Sequence, residues 1–444
     1  MKFFTFRGGI HPPEEKETTA QLKIEKAVEP ATVIIPLQQH IGAPCEPIVK
    51  VGDAVKIGQK IGEAKGFVSA PVHASISGTV KAIGDVPIGT GNEALAIVIE
   101  SDGKNEVDGS IQPKGNIEAL EPKKIIDIIK EAGIVGMGGA TFPTHVKLSP
   151  PPEKKVDTII LNGAECEPYL TADHRLMLEN PDDIILGLKA MMKAVGVENG
   201  YIGIENNKPD AIDMMLKAVE KESNIKVAAL QTKYPQGGEK QLIFAITNKE
   251  VPSGGLPMDV GVIVSNVGTA AQIAKTIKTG MPLIERITTV TGKAIKEPKN
   301  LLIKIGTPVK ELIEQCGGYV EEPGKLILGG PMMGFAQHND EIPAVKGTSG
   351  VLVFNKEEAE MPNPLNCIRC GRCVEICPAN LQPVYISENS LANRMEHAEK
   401  YRALDCIECG SCSYVCPSRR PLLPSIRVAK NQIIAKKREQ KKSN

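Results

Sequence analysis

Eight of the chain's eleven cysteines fall between Cys367 and Cys416, in two runs of one form. Cys367, Cys370, Cys373 and Cys377 precede Pro378, and Cys406, Cys409, Cys412 and Cys416 precede Pro417. Both runs read C-x2-C-x2-C-x3-C-P. Thiolates in this pattern ligate iron–sulfur cubanes. Three come from one tight loop, and in two-cluster ferredoxins the fourth ligates the other cluster. The assignment that follows is Cys367, Cys370, Cys373 and Cys416 for one 4Fe–4S cluster, and Cys406, Cys409, Cys412 and Cys377 for the other. Zinc sites use one or two C-x2-C pairs, not a triplet followed by C-x3-C-P. Disulfides need an oxidising compartment, and Met1 to Arg7 shows no apolar stretch behind a charged start that would signal export. The chain is expected to move electrons one at a time. Cys45, Cys166 and Cys316 lie far apart and read as ordinary buried thiols.

A second set of residues is glycine-rich. Gly136, Gly138 and Gly139 open a loop that runs through Phe142 to Lys147. Asn162, Glu165 and Glu167 follow an apolar strand, Gly238 and Glu239 open a helix, and Asn266 and Thr269 stand where another strand passes into a helix. Glycines let backbone N–H groups approach a phosphate or a flat ring, and a helix N-terminus favours an anion. Lys147 can pair with phosphate, and Asn162 and Asn266 can hydrogen-bond the edge of an isoalloxazine. Glu165, Glu167 and Glu239 repel anions, so they suit ribose hydroxyls, a carboxamide, or the orienting of other side chains. No G-K-[ST] follows the loop and no G-x-G-x-x-G is present there, so it is neither a P-loop nor a Rossmann fingerprint. Two readings stay open at this point: a nucleotide or flavin site, or glycines that pack helix on strand. Glu167 and Glu239 also suit a solvated helix start. Chemistry favours the flavin. Nicotinamide gives two electrons as a hydride and a cluster takes one, and a flavin converts between them.

The elements that must position these residues follow from patterning. At 444 residues the chain suits about three or four domains. Its formal net charge is zero, which gives no case for nucleic acid, and no apolar run is long enough for a membrane span. Residues 1–30 read as extended, since Gly8-Gly9-Ile10-His11-Pro12-Pro13 cannot be helical. Residues 31–100 read as short strands with Gly-Asp turns, a small β sandwich or barrel, which with the N-terminal segment makes a unit over 1–100. Its V-G-D-x-V-x-x-G-Q and S-G-T-V pieces resemble the lipoyl-type barrel-sandwich. The hairpin tip Lys65-Gly66-Phe67-Val68 lacks a carrier lysine's context, so a structural or docking role is expected. Residues 101–120 are a linker. Residues 121–285 alternate helix and strand, an α/β unit with ligand loops at strand ends. Residues 286–330 turn to alternating β character around a helix at Val309 to Glu314, a β-grasp-like unit. Residues 331–355 are expected to lead back to the α/β unit. Residues 356–418 hold the cysteine motifs with a spacer helix over Leu391 to Leu404. The tail, 419–444, carries nine Lys and Arg against Glu439, and suits either an anionic surface or partner or a solvated helix.

The loop Gly136-x-Gly138-Gly139-Ala140-x-Phe142-Pro143-Thr144-x-x-Lys147 resembles the flavin loop of the NADH-oxidising, FMN-carrying subunit of respiratory complex I. Asn162-x-x-Glu165-x-Glu167-Pro168, Gly238-Glu239 and Asn266-Val267-x-Thr269 resemble that subunit's other flavin segments, and the β-grasp-like stretch resembles its SLBB domain. The match departs at Ala164, Gly268 and Lys240. Over nearly its full length, from Gly8-Gly9-Ile10-His11-Pro12-Pro13 to the two cysteine motifs, the chain resembles the C subunits of Rnf complexes. Those are membrane ferredoxin:NAD oxidoreductases that drive Na+ or H+ across the membrane. The resemblance implies a multidomain α/β and α+β chain with a barrel-sandwich domain, an FMN-binding α/β domain, an SLBB domain and a two-cluster ferredoxin domain. It implies noncovalent FMN held by Gly136, Gly138, Gly139, Lys147, Asn162, Glu165, Gly238, Asn266 and Thr269. It implies NAD(H) as substrate, faced by Phe142, Lys147, Glu167 and Glu239, with no catalytic side chain beyond the FMN. The implied partners are a ferredoxin-like B subunit and membrane subunits, with the membrane reached only through them. The implied place is the cytoplasmic face of a prokaryotic membrane. The alternative is an iron–sulfur scaffold without nucleotide chemistry of its own.

Overall fold

The computed structural model describes residues 3–89 and 91–443; Met1 and Lys2 of the N-terminal stretch read above, Thr90 and Asn444 lie outside the described residues. The α/β unit is built on a parallel sheet. Its strands run in the spatial order Ile225–Leu230, Asn199–Glu205, Thr158–Asn162, Val262–Asn266. Side chains alternate along each strand. Ile159 and Leu161 therefore pack with Ile184, Leu188, Ile273 and Ile277 on one face. Ile160 and Val264 pack with Leu242, Ile243 and Ile246 on the other. The chain leaves Thr158–Asn162 towards one side of the sheet and returns on the other. The switch point lies between Thr158–Asn162 and Val262–Asn266, and a crevice for ligand is expected outside the strand C-termini there. Asn162 and Asn266 end these two strands and stand opposite each other in register.

One helix of this unit, Ala172–Glu179, escapes the sequence pattern. Its buried face includes His174 and Arg175, so polar residues interrupt the apolar period that would mark it. Its first N–H groups are capped from outside. The Glu165 carboxylate accepts from Asp173 N at 2.7 Å and His174 N at 3.2 Å.

The barrel-sandwich forms from a four-stranded and a three-stranded antiparallel sheet over one core that includes Val33, Ile35, Ile61, Val72 and Ile97. A six-stranded sheet holds, in order, Ile24–Lys26, Lys299–Lys304, Glu285–Thr291, Gly350–Phe354, Lys325–Leu328 and Phe335–Gln337. Two expectations change here. Residues 331–355 do not return to the α/β unit. Phe335–Gln337 and Gly350–Phe354 complete the six-stranded sheet, because the apolar run Gly350–Phe354 is buried between two partner strands. The described part of residues 1–30 holds no helix, as expected, and is anchored to two sheets. Ile24–Lys26 adds a parallel edge strand to that sheet, and Phe4 bridges the edge of the α/β sheet at Leu230. The spacer is not one helix over Leu391 to Leu404. It is the end of Pro383–Leu391, a turn, and a short helix Met395–Lys400. Asn393 takes a left-handed φ of 53° at the break, a conformation Asn tolerates and a helix does not.

The basic tail begins a helix, Leu422–Ser443. Leu422, Ile426, Ala429 and Ile433 are buried in the core of the cysteine domain. Arg427 and Lys430 pair with Glu408, and Lys436 and Lys437 pair with Glu396 and Glu399. This stretch is a helix whose first half packs into the cysteine domain and whose residues 435–440 are exposed to solvent. Among the described residues no helix is long and apolar enough to cross a membrane.

Candidate redox site

The crevice at the switch point is walled by four segments. The loop from Gly136 to Phe142 is closed at its base by Gly136 N donating to Phe142 O at 2.9 Å. It is tied to the helix Val267–Thr279 where Met137 N donates to the Thr269 hydroxyl at 3.0 Å. Gly138 passes so close to Asn266 that a Cβ there would lie 2.7 Å from Asn266 Nδ2. Beside Gly139 such a Cβ would meet nothing within 4 Å. One glycine is therefore needed for close packing, and the next leaves an open face.

Asn266 caps the helix Val267–Thr279, its Oδ1 accepting from Gly268 N at 2.8 Å. Its Nδ2 donates to Asp173 Oδ2 at 2.7 Å. Burial, followed by the charge of Glu165, pushes the Asp173 carboxyl up. Asn162 spans to the next wall, donating to Gly237 O at 2.8 Å and accepting from Ala164 N at 3.1 Å. Lys147 donates to Glu239 Oε1 at 2.9 Å and to Val264 O at 2.8 Å. The structure thus brings Gly136, Gly138, Gly139, Lys147, Asn162, Glu239, Asn266 and Thr269 together at the C-terminal ends of Thr158–Asn162 and Val262–Asn266. Gly238 serves as N-cap of the helix Glu239–Thr247. Phe142 is half-buried at the loop's end.

Two expected residues are engaged elsewhere. The Glu165 carboxylate is taken by the Ala172–Glu179 helix terminus, as described above. The Glu167 carboxylate accepts from Met332 N at 3.0 Å and Met333 N at 2.9 Å. It pins the six-stranded sheet's Gly330–Gly334 turn rather than facing an opening. Burial raises its pKa to about 7 despite those two amides.

Sequence reasoning missed several contributors. Lys16 is buried and donates to the carbonyls of Glu165, Glu167 and Leu170, holding the Glu165–Leu170 loop in shape. Lys208 does the same for Ala164 O at 2.7 Å. Neither has a motif around it; a lysine far from the loop in sequence gives no local signal. Tyr234 and Gly237 do stand in a legible place, just before Gly238-Glu239. Tyr234 is fully buried, and its hydroxyl donates to Cys409 O at 2.8 Å. Gly237 N donates to Cys166 Sγ at 3.3 Å, so Cys166 is part of this wall and not an incidental thiol. Gln236 is completely buried, and neither atom of its amide has a partner. The open Gly139 face, the capped helix terminus and Lys147 fit a phosphorylated flavin.

The cysteines fall into two groups. Cys377, Cys406, Cys409 and Cys412 line one cavity, closed by Leu381, Ile386, Leu423 and Ile426. Burial, with Cys406, Cys409 and Cys377 adding to it, pushes the Cys412 thiol up to about 12. Burial likewise brings Cys406 up to about 11, with Glu408 N and Lys430 opposing. Around Cys373, burial acts first, and the neighbouring thiols that raise it are Cys416 and Cys370. Cys367 and Cys370 are exposed. Ligation must displace the thiol protons, so metal binding is coupled to proton release. A softly lined, apolar cage of four thiols suits a cubane cluster.

Comparison with known proteins follows the same division. The chain matches the Nuo51 FMN-binding domain over residues 129–275, the RnfC barrel sandwich hybrid domain over 4–104, the SLBB domain over 287–336, and the 4Fe-4S dicluster domain over 366–419. It is 56% identical to the C subunit of the Na(+)-translocating ferredoxin:NAD(+) oxidoreductase complex of Acetobacterium woodii, over 99% of each chain. The chain belongs to the C-subunit family of ion-translocating ferredoxin:NAD(+) oxidoreductase complexes. The proton-translocating relative from Clostridium ljungdahlii is 55% identical over 86% of this chain and 84% of its own. The C subunit of the ion-translocating oxidoreductase complex of Rhodobacter capsulatus is 44% identical over 98% and 84%. As a C subunit, the chain carries FMN and two 4Fe–4S clusters and is one component of a multi-subunit oxidoreductase.

Proposed function

We propose that this C subunit exchanges hydride with NAD(H) at an FMN bound in the switch-point crevice and passes electrons outward first through the buried and then through the exposed cluster. The observation that carries the order is a single segment. Tyr234 to Glu239 walls the crevice through Gly237 and Glu239 and touches the buried cluster's Cys409 through Tyr234. FMN, when bound, accepts two electrons as a hydride and releases them singly.

The chain's own residues supply position and charge. Gly136, Gly138 and Gly139 admit the flavin, Asn162 and Asn266 orient it, and Thr269 fixes the loop by accepting from Met137 N. Glu165 acts indirectly, by ordering the helix that carries Asp173 against Asn266. Lys147, held between Glu239 and Val264 O, offers its ammonium to phosphate. Phe142 is placed at the loop's end to stack on the nucleotide, with Glu239 beside it. Glu167 reaches NAD(H) only by leaving Met332 and Met333, so its part is to hold the turn. Cys377, Cys406, Cys409 and Cys412 ligate the buried cluster. Cys367, Cys370, Cys373 and Cys416 ligate the exposed one. The neighbours that raise Cys412 and Cys373 support this crossed pairing. The exposed cluster then faces the ferredoxin-like subunit. Ion translocation belongs to membrane subunits, with this chain on the cytoplasmic face.

The test is anaerobic purification followed by flavin and iron analysis, then addition of NADH. One FMN, about eight irons and rapid flavin bleaching are expected. Intact clusters without flavin overturn the reading. Flavin that NADH does not bleach favours the second reading, a scaffold without nucleotide chemistry. The engagement of Glu167 by Met332 and Met333 is what speaks for it.

A further inference from the structure

We infer that Tyr234 is the positioning residue that couples the flavin crevice to the buried cluster and tunes that cluster's potential. This rests on the reading that electrons leave the crevice for that cluster. Tyr234 is held from every side. Its backbone N donates to Ile10 O and its O accepts from Ile10 N, each at 2.8 Å. The next residue along that arm, Gly9, donates to Ile376 O at 2.8 Å. The phenol lies with Ile10, Cys166, Met332, Ile376, Ile407, Cys409 and Val415 in one apolar cluster. Its hydroxyl donates to Cys409 O at 2.8 Å. From there the same segment runs to Gly237 and Glu239 in the crevice wall. It ends on Gln241, whose Nε2 donates to Pro378 O at 3.1 Å. Pro378 follows Cys377. One segment thus grips two ligand-bearing arms of the buried cluster and also lines the flavin crevice.

The hydroxyl aims the positive end of its dipole at the peptide of a ligand cysteine. In a water-poor surrounding such a dipole acts at close to full strength. It favours the reduced cluster, which carries one more negative charge, and so raises the potential. The ring packs in one apolar cluster that includes Cys409 of the buried motif and Cys166 of the crevice wall. Cys370, the counterpart of Cys409 in the other motif, is exposed and lies in no such cluster.

The experiment uses the full chain with FMN and both clusters in place. Tyr234→Phe keeps the ring and removes the donor. Site-specific fluorotyrosine at the same position keeps the shape and makes a stronger donor. Potentials of both clusters are read by mediated anaerobic titration with EPR detection, the buried signal being assigned in a Cys370→Ser background. No NAD(H) enters the titration, so this result stands apart from the nucleotide reading. The earlier reading fails separately if NADH leaves the unaltered chain's flavin unbleached. We expect Tyr234→Phe to lower the buried cluster's potential alone, changing its one-electron equilibrium about threefold, or roughly 28 mV at 59 mV per tenfold. Fluorotyrosine is expected to shift it the opposite way. Cluster reduction after NADH mixing should slow, while flavin bleaching keeps its rate. An unchanged buried potential, equal shifts of both clusters, or shifts of one sign in both variants overturn the proposal.

Discussion

The two cysteine motifs share a backbone and differ in everything around it. Arg369 and Glu408 occupy the same place in the repeat, with left-handed φ of 54° and 59°. Gly371 and Gly410 follow, each at 77°, and each motif then closes with one helical turn, Arg372–Glu375 or Ser411–Tyr414. Yet Cys409 and Cys412 are buried while Cys367 and Cys370 are exposed. Around the exposed motif, Met361, Leu365 and Ile368 are 80%, 63% and 67% accessible. Around the buried one stand Tyr234, the N-terminal arm, and the helix Leu422–Ser443 with Lys430 donating to Cys406 O at 2.7 Å. Local spacing makes the cage, and the neighbours decide its solvent, its potential and its place in the electron path.

The sharpest way to break this comparison is to remove one ligand from each motif. Cys409→Ser and Cys370→Ser should each lose about half of the iron. Only Cys409→Ser is expected to lower the melting temperature markedly and to stop cluster reduction by NADH, because its cavity is part of the domain core. Iron analysis and thermal melts of the two proteins check this, and equal melting losses contradict it.

Gly8 tests the arm that shields the buried motif. It sits at φ +76°, and a Cβ would lie 2.9 Å from Ile376 O. Gly8→Ala should cost about 1–2 kcal/mol from backbone conformation alone, with the close contact adding to it. It should also speed loss of the buried cluster in air, followed by its visible absorbance, with the exposed cluster unaffected.

Lys430→Met removes a cation from beside Cys406. A hydrogen bond to a charged group is worth about 1.5–3 kcal/mol, so stability should fall by up to that amount. The buried cluster's potential should move negative while the exposed one stays, as EPR-monitored titration would show. The smallest effect is in pH. Burial pushes Glu408 up, but Lys430 and Arg427 outweigh it and hold its pKa below the ordinary value. This stabilisation is therefore present above the unfolded carboxylate pKa of about 4.3 and is lost as pH falls through the lower folded value. For a half-exposed network it is expected to be about 1 kcal/mol or less. Melting curves between neutral and acid pH should show a smaller acid loss in Glu408→Gln than in the unaltered chain.

The site was legible where function imposes a short-range pattern. Cysteine spacing, the Gly136–Lys147 loop, and Asn162 and Asn266 at strand ends are all local in sequence. What escaped was long-range. Lys16 shapes the Glu165–Leu170 loop from far upstream, and no periodicity marks it. Glu167 was read by its loop neighbours, but its carboxylate goes to Met332 and Met333 in another sheet. The strand Ile24–Lys26 is three residues long, too short for alternation to declare it, and its partner lies near residue 300. The Leu391–Leu404 spacer has helical composition throughout, and left-handed residues at Asn393 and Arg402 break it.

By itself, the sequence determined the two ligand cages, the glycine loop and the order of the domains. Each depends on residue type at short separation, where the chain's own geometry leaves few alternatives. Only the tertiary structure decided which cage is buried, which glutamate carboxylates are taken by backbone amides, and which carbonyl the Tyr234 hydroxyl meets. Those outcomes depend on burial and on hydrogen bonds between residues far apart in the chain, and a linear pattern carries no record of which distant carbonyl a buried hydroxyl will find.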